Sequence, residues 1–319
     1  MENTEPMPRS NVLYSIVVPV YNTSTSLKEL AKRIDGVFKK TVRAGYELIY
    51  IDDASPNRQT WETLCSIVIQ YRNTTALRLA KNCGQQAATL CGFREAGGDF
   101  LILMDDDLQH RPEDIPKLLV HRDHDLVIAC FKKKKHTPTA KTFSRWRDNF
   151  NRIWMHQPGN IRFSSFWLVK KRIAQQIASY NMSKPLFAPL LFSLTQDVVN
   201  VEVDHDTRRE GRSGYSIWKR INTFVRWFID YSPVFWVGTV LFATVLCLVS
   251  VGAFLSAVFQ KNIPVFIRSF EWGCLFSFLS GWMLLLFGLI GRMGFRIIRI
   301  LEKRAEIPIS DRASHEDTV

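Results

Sequence analysis

The stretch DFLILMDDDLQHRPEDI, residues 99–115, combines an apolar strand, three consecutive carboxylates and the start of a helix. Its first part, residues 99–105, is a nearly continuous apolar run, which is typical of a strand covered on both faces of a parallel sheet. Three aspartates, residues 105–107, close this run, and Pro112 opens the next helix. The stretch therefore predicts a strand, an acidic loop and a helix in succession.

The segments on either side repeat this alternation. Predicted strands cover residues 14–21, 46–52, 74–80, 125–130 and 198–205, and predicted helices cover residues 26–43, 59–72 and 84–96. Such alternation predicts parallel βαβ units, and in open parallel sheets ligands bind beyond the carboxyl ends of the strands. Polar residues follow three of these ends: Asn22, Asp52, Asp53 and residues 105–107. We therefore predict an α/β domain with its site at the carboxyl end of the sheet.

The three adjacent carboxylates indicate a metal site. Their mutual repulsion is unfavourable, and a divalent cation removes it. Mg2+ or Mn2+ prefers oxygen ligands and commonly binds one or two carboxylates together with substrate phosphates. In extended backbone Asp105 and Asp107 point the same way, and Gln109 would add an amide oxygen. The alternative is a solvated acidic turn that caps the helix, and for His110 we expect a surface position.

Two further loops carry groups suited to a nucleotide. Asp52 and Asp53 would accept hydrogen bonds from a base or ribose, the alternative being an Asx-turn. Arg78 and Lys81 precede a helix that begins at Gly84, where cations and backbone N–H groups suit phosphate, unless the helix is simply capped. The sequence contains no Walker loop, no G-x-G-x-x-G after the first strand and no Ser-His-Asp or Cys-His nucleophile pattern.

The C-terminal third contains two long uncharged segments, residues 231–260 and 272–291. A membrane span needs about 20 apolar residues, so both predict spans, the alternative being a pair of buried core helices. Lysines and arginines flank the pair, which by the positive-inside rule places both termini in the cytoplasm. Residues 216–231 predict an interfacial amphipathic helix. The N-terminus shows no signal peptide, and six scattered cysteines fit a reducing compartment.

Charge and domain organisation follow from these segments. The net charge is +12, and much of the excess lies at the membrane flanks, so nucleic-acid binding is not indicated. The predicted parts of the chain are a polar tail (1–11), a cytoplasmic catalytic domain (12–215), the interfacial helix (216–231), a two-span hairpin (232–291) and a basic cytoplasmic segment (292–319).

Five blocks of the sequence resemble glycosyltransferase family 2, and within it the polyprenyl-phosphate glycosyltransferases. They are VVPVYN (17–22), IDDASPN (51–57), LAKNCGQQAATLCGF (79–93), MDDDLQHRPEDI (104–115) and RREGRSGYS (208–216). The resemblance implies a GT-A fold with a mostly parallel sheet, a UDP- or GDP-sugar donor, a polyprenyl phosphate acceptor such as undecaprenyl phosphate, and inversion at the anomeric carbon. It also implies a multi-pass protein of the bacterial inner membrane that builds or modifies cell-envelope glycans such as the O-antigen of lipopolysaccharide, and that self-associates.

Carried over residue by residue, the resemblance assigns three sets of site residues. The catalytic set is Asp105, Asp107 and Arg209. The set that binds substrate is Pro19, Tyr21, Asn22, Asp52, Asp53, Arg78, Lys81, Gly84, Gln85, Asp106 and Ser213. The set that holds Mg2+ or Mn2+ is Asp105, Asp107 and Gln109.

Three positions depart from the family pattern: Thr23 replaces the usual Glu, Gly214 the usual Lys, and Trp167 stands near the usual Arg. Two alternatives to a polyprenyl phosphate transferase therefore stay open. Transfer to a hydroxyl group of another lipid or a lipid-linked glycan would require a base, such as Asp106 or Asp197. A non-catalytic membrane protein would bind a nucleotide-sugar or a lipid without turnover.

Overall fold

The computed structural model describes residues 10–131, 157–159, 161–179, 187–204 and 308–315, with isolated helical positions between 279 and 297. The predicted interfacial helix and the loop residues Arg209, Ser213 and Gly214 lie outside the described residues. So does the predicted hairpin, apart from those isolated positions. Within the described residues, no helix has the length and apolar character needed to cross a membrane.

An eight-stranded sheet forms the centre of the described chain. Its strands are β1 (Ser10–Val20), β2 (Ala44–Asp52), β3 (Thr74–Leu79), β4 (Phe100–Leu103), β5 (Leu126–Phe131), β6 (Trp167–Lys170), β7 (Val198–Val203) and β8 (Ile309–Ala313). Their spatial order is β7-β5-β6-β4-β1-β2-β3-β8. Four pairings are parallel, whereas β6 runs antiparallel to β4 and β5, and β8 runs antiparallel to β3. The predicted α/β class is therefore confirmed.

Helices cover both faces of this sheet. They are α1 (Leu27–Val37), α2 (Arg58–Gln70), α3 (Gln85–Glu95), α4 (Ile115–Leu119), α5 (Lys171–Ser179) and α6 (Phe187–Leu194), with a π-helical turn (Phe38–Val42) after α1 and a 3-10 turn (Pro112–Asp114) before α4. Strand β1 is buried from both sides. Ile16 and Val18 belong to the apolar cluster under α1 and α2, and Val17 belongs to the cluster under α3 and α5. Burial from both sides explains the uninterrupted apolar run in its sequence.

The structure differs from the sequence prediction at the end of β4. The predicted strand, residues 99–105, ends at Leu103, and the three aspartates lie in a turn. The turn depends on Leu108, whose backbone is left-handed with φ of 61°. The argument that Asp105 and Asp107 point the same way from extended backbone is therefore wrong.

Gly92 lets α3 lie directly against β1. A Cβ at this position would overlap Val17 Cγ1 and would lie 3.3 Å from Ile51 Cγ1. We expect Gly92→Ala to destabilise the fold by about 1–3 kcal/mol, the usual cost of overpacking. A Cβ on Gly36, which is also helical, meets nothing within 4 Å, so Gly36→Ala should stabilise by about 0.5–1 kcal/mol. Thermal unfolding of the two variants in detergent would contradict this if both shifted in the same direction.

Candidate active site

Strands β1 to β4 all end at the same edge of the sheet, its carboxyl end. In the loop after each of them, one residue has a left-handed backbone conformation. These residues are Asn22 (φ 57°), Ala54 (φ 53°), Gly84 (φ 93°) and Leu108 (φ 61°). Such conformations are unfavourable for residues other than glycine and cluster where a protein builds a functional site. The backbone turns sharply at this end of the sheet and brings the predicted loops together.

Asp105 connects three segments that are distant in sequence. Its Oδ1 accepts a hydrogen bond from Gln85 Nε2 at 2.8 Å, and its Oδ2 accepts one from Ser165 Oγ at 2.6 Å. Its backbone N–H donates to His110 Nδ1 at 3.0 Å. Gln85 and Asp105 belong to the two most specific blocks of the resemblance, and the structure places these blocks in contact.

Asp106 and Asp107 complete the acidic loop, residues 105–107. The backbone carbonyl of Asp106 accepts a hydrogen bond from Ser26 Oγ at 2.6 Å, which ties the loop to the start of α1. Asp107 Oδ1 accepts a hydrogen bond from the backbone N–H of Gln109 at 3.1 Å. Protein contacts thus hold the loop on both sides of its half-buried carboxylates.

The electrostatics of the acidic loop suit a divalent cation. Burial raises the pKa of Asp106 to about 7; a hydrogen bond from Thr23 opposes the rise, and the charges of Asp105 and Asp107 add to it. Mg2+ or Mn2+ relieves repulsion of this kind by binding the carboxylate oxygens. In the described parts of the chain, no three His, Cys, Asp or Glu side chains converge as a complete metal centre. A cation bound to this loop would therefore need further ligands, such as substrate phosphates and water.

The Asp52 carboxylate makes its contacts within the protein interior. It is fully buried, and its Oδ1 accepts a hydrogen bond from the backbone N–H of Ser55 at 2.9 Å. Its Oδ2 lies 3.3 Å from Arg78 Nε, and the Arg78 guanidinium also donates to the Ser55 carbonyl and lies over the Trp61 ring. The contact reaches three residues along the chain, one more than in the Asx-turn that the sequence left open.

Asp53 holds the loop before α3. Its two carboxylate oxygens accept hydrogen bonds from the backbone N–H groups of Cys83 and Gly84, at 2.7 and 2.8 Å. The Gly84 N–H, predicted to suit a phosphate, is therefore already bonded within the protein. Lys81 stays exposed in the same loop.

The end of β1 divides the VPVYN block into buried and exposed parts. Pro19 is buried inside the strand, whereas Tyr21 is 48% exposed. Asn22 is exposed as well; its N–H donates to Ser55 Oγ at 2.9 Å, and its Oδ1 accepts from the Asn57 N–H at 3.3 Å. Of the residues predicted here, Tyr21 and Asn22 are therefore accessible to a ligand.

His110 is not at the surface, and that prediction is wrong. The residue is 4% exposed, and its ring stacks against Phe131 and Phe166, with centroid distances of 5.7 and 5.2 Å. The left-handed turn at Leu108 folds the chain back so that the imidazole lies under Asp105. Sequence reasoning also missed Ser165, for which the only signal was a pair of serines immediately before an apolar run.

Two residues that the sequence left open lie away from the acidic loop. Trp167 is fully buried in β6, edge to face with Phe93 at 5.5 Å, so this departure from the family pattern belongs to the core. Asp197 precedes β7, at the amino end of the sheet, and its Oδ1 contacts His124 Nδ1 at 2.6 Å. Six strand residues, about 20 Å, separate it from the carboxyl end. This position does not support Asp197 as the base for a hydroxyl acceptor at the acidic loop.

The sequence profile described as glycosyl transferase family 2 matches residues 15–178, just over half of the chain. The chain belongs to this family. The match begins within β1 and includes β2 to β6, the acidic loop and Gln85. Together with the sheet, it confirms the predicted GT-A α/β fold with a mostly parallel sheet.

Curated relatives match about two thirds of the chain. An undecaprenyl-phosphate 4-deoxy-4-formamido-L-arabinose transferase from Pseudomonas fluorescens is 27% identical over 212 residues, covering 65% of this chain and 62% of the relative. A transferase of the same name from Aeromonas hydrophila is 29% identical over 216 residues, covering 66% and 65%. The match thus spans less than two thirds of these relatives. Among solved structures, glucosyl-3-phosphoglycerate synthase from Mycobacterium tuberculosis, in complex with Mn2+, uridine diphosphate and phosphoglyceric acid, gives a TM-score of 0.49 at 13% identity, covering 68% of this chain and 76% of that one.

Proposed function

We propose that this protein is a membrane-bound inverting glycosyltransferase. It would move a sugar from a UDP- or GDP-linked donor to a polyprenyl phosphate, with undecaprenyl phosphate as the expected lipid. The observation that carries the proposal is the hydrogen bond from Gln85 to Asp105, which joins two motif blocks at the carboxyl end of a family 2 domain. The names of the relatives, which specify undecaprenyl phosphate, support the acceptor.

The site residues have separate roles in this proposal. Asp105, Asp107 and Gln109 would hold Mg2+ or Mn2+, which would supply positive charge to stabilise the departing diphosphate. The exposed Tyr21 and Lys81 would contact the donor from the neighbouring loops. Arg209 and Ser213, outside the described residues, keep their predicted role in the loop that closes over the diphosphate.

A phosphate acceptor does not require a general base. An oxygen of the lipid phosphate would attack the anomeric carbon in line, and the bond from that carbon to the diphosphate would break, which inverts the configuration. The phosphate is already anionic at pH 7, so no proton has to be removed. A hydroxyl acceptor would need a base; Asp197 lies at the amino end of the sheet, which leaves Asp106 in the acidic loop as the candidate. Positioning and charge neutralisation would carry most of the acceleration.

We also propose a multi-pass location in the bacterial inner membrane, with the catalytic domain and both termini in the cytoplasm and with self-association of the chain. The pairing of β8 with β3 supports this topology. One strand follows the predicted hairpin and the other precedes it, and the Ala80 N–H donates to the Pro308 carbonyl at 2.8 Å. An odd number of membrane crossings between them would place the two strands on opposite sides.

A transfer assay tests the proposal. Membranes that contain the full chain are incubated with Mg2+ or Mn2+, undecaprenyl phosphate and a panel of radiolabelled UDP- and GDP-sugars. We expect a lipid-linked product from at least one donor and none when the lipid phosphate is left out. Its mass should equal that of the polyprenyl phosphate plus one sugar.

Two outcomes would overturn the proposal in different ways. A product on another lipid or on a lipid-linked glycan would favour a transferase with a hydroxyl acceptor. Donor binding without product across the whole panel would favour a protein that binds nucleotide-sugar without turnover. Binding is measured in the same preparations from the thermal shift that each donor produces, since a specific ligand stabilises the folded state.

A further inference from the structure

Both ring nitrogens of His110 face Asp105. The backbone N–H of Asp105 donates to Nδ1 at 3.0 Å, and Nε2 lies 3.8 Å from Asp105 Oδ2. A ring nitrogen that accepts a hydrogen bond carries no proton, so the ring hydrogen is on Nε2, on the side of the carboxylate. At 3.8 Å this N–H is too distant for a hydrogen bond and acts on the carboxylate as an oriented dipole.

The surroundings of His110 fix the plane of its ring. Phe131 and Phe166 both stack against it, at interplanar angles of 10° and 21°. The side chain is 4% exposed, so the ring has little room to turn about its bonds. Phe131 ends β5 and Phe166 precedes β6, which means that the sheet itself holds the imidazole.

The Asp105 carboxylate is also held from two other directions. Gln85 at the start of α3 donates to Oδ1, and Ser165 before β6 donates to Oδ2. Neither contact fixes the backbone of the acidic loop. The bond from the Asp105 N–H to His110 closes a loop of six residues. Together with the bond from Ser26 Oγ to the Asp106 carbonyl, it holds the backbone of the acidic loop after β4.

We infer that His110 is a positioning residue for Asp105, acting through its Nδ1 acceptor. By holding the backbone N–H of Asp105, the imidazole fixes the direction in which the carboxylate projects toward the metal and the donor diphosphate. This inference rests on the proposed function, because it takes Asp105 to be a ligand of that site. It gives His110 a role that the sequence analysis did not assign, and it identifies Nδ1 as the atom that performs it.

Three substitutions of His110 distinguish the effect of the hydrogen-bond acceptor from the effect of the aromatic ring. His110→Asn keeps an oxygen at the place of Nδ1, while His110→Phe keeps an aromatic ring for the stack with Phe131 and Phe166 but removes the acceptor. His110→Gln moves its polar atoms one bond further, to the place of Nε2. If the acceptor matters, Asn should be the best replacement and Phe the worst. A role limited to packing predicts the opposite order.

The expected size of the effect is that of losing a partner that orients a ligand. We expect His110→Phe to lower kcat for sugar transfer roughly 10- to 100-fold, with a smaller change in the donor KM. His110→Asn should stay within a few-fold of the wild type. His124→Asn serves as the matched control, because this histidine contacts Asp197 at the amino end of the sheet.

Two readouts do not depend on turnover. The first is the thermal shift caused by Mn2+ with UDP and, separately, with GDP; we expect it to persist in His110→Asn and to shrink in His110→Phe. The second is the nitrogen NMR spectrum of the 15N-histidine-labelled full chain, in which His110→Asn identifies the resonances. We expect the hydrogen of His110 on Nε2, and a hydrogen on Nδ1 would overturn the inference.

The outcomes keep this inference apart from the proposed function. If the wild-type chain transfers no sugar from any donor, the proposed function fails, while the NMR spectrum and the Mn2+ shifts still decide the role of His110. If transfer is observed and the Phe variant matches the Asn variant in kcat and in the Mn2+ shift, the inference fails alone.

Discussion

Asp107→Asn should lower sugar transfer by about a thousandfold or more while leaving the fold intact. The substitution removes one negative charge from the acidic loop and with it a ligand of the proposed cation. A cation that stabilises a departing diphosphate contributes several kcal/mol, and a thousandfold loss corresponds to about 4 kcal/mol. The asparagine keeps Oδ1, so the hydrogen bond from the Gln109 N–H that shapes the loop is retained. The measurement is kcat with the best donor at saturating Mn2+.

The control for this prediction is Asp123→Asn, which removes an exposed carboxylate from the turn after α4. It should leave kcat and the unfolding temperature close to the wild-type values. The same preparations are tested for the thermal shift that Mn2+ causes in the presence of nucleoside diphosphate, which should be lost in Asp107→Asn alone. Turnover within tenfold of the wild type, with the Mn2+ shift preserved, would rule out the metal role of Asp107.

Sequence analysis predicted the strands whose own residues form an apolar run. β1 and β2 are long and largely apolar, because each is buried between two layers of helices. β6 has four residues and is held between β4 and β5 by partners far away in sequence. β8 is an edge strand whose first four residues are exposed, so its pairing with β3 is set by the backbone of its partner. A short, exposed edge strand has no apolar pattern from which it could be predicted.

The candidate site also has some features that were predictable from local sequence and others that were not. The acidic loop was predictable because three adjacent carboxylates are unfavourable without a cation, a property of local sequence alone. The hydrogen bond from Ser165 to Asp105 joins residues 60 positions apart and depends on where β6 enters the sheet. The burial of His110 depends on the left-handed turn at Leu108, which nothing in the side chain of leucine favours. Contacts of this kind exist only once the sheet has formed.

Asp52 and Arg78 were both predicted to bind substrate, but in the structure they form an ion pair with each other. Asp52 is fully buried, and within the described residues its Oδ2 has no hydrogen-bond partner. The compensation for its charge is the Arg78 guanidinium, 3.3 Å away. Removing one partner of a buried ion pair leaves an uncompensated charge and typically costs about 3–5 kcal/mol. A nucleotide-binding role for Arg78 therefore has to coexist with a role in folding.

We expect Arg78→Met to lower the unfolding temperature of the full chain by roughly 6–20 °C, which is the shift that about 3–5 kcal/mol produces in a domain of this size. The double variant Arg78→Met/Asp52→Asn should recover at least half of the loss, because the asparagine is uncharged and still accepts the Ser55 N–H. Lys81→Met is the matched control, since Lys81 is an exposed cation in the loop after β3. If Arg78 served the nucleotide alone, Arg78→Met would leave the unfolding temperature unchanged and weaken nucleotide binding, and the second substitution would restore nothing.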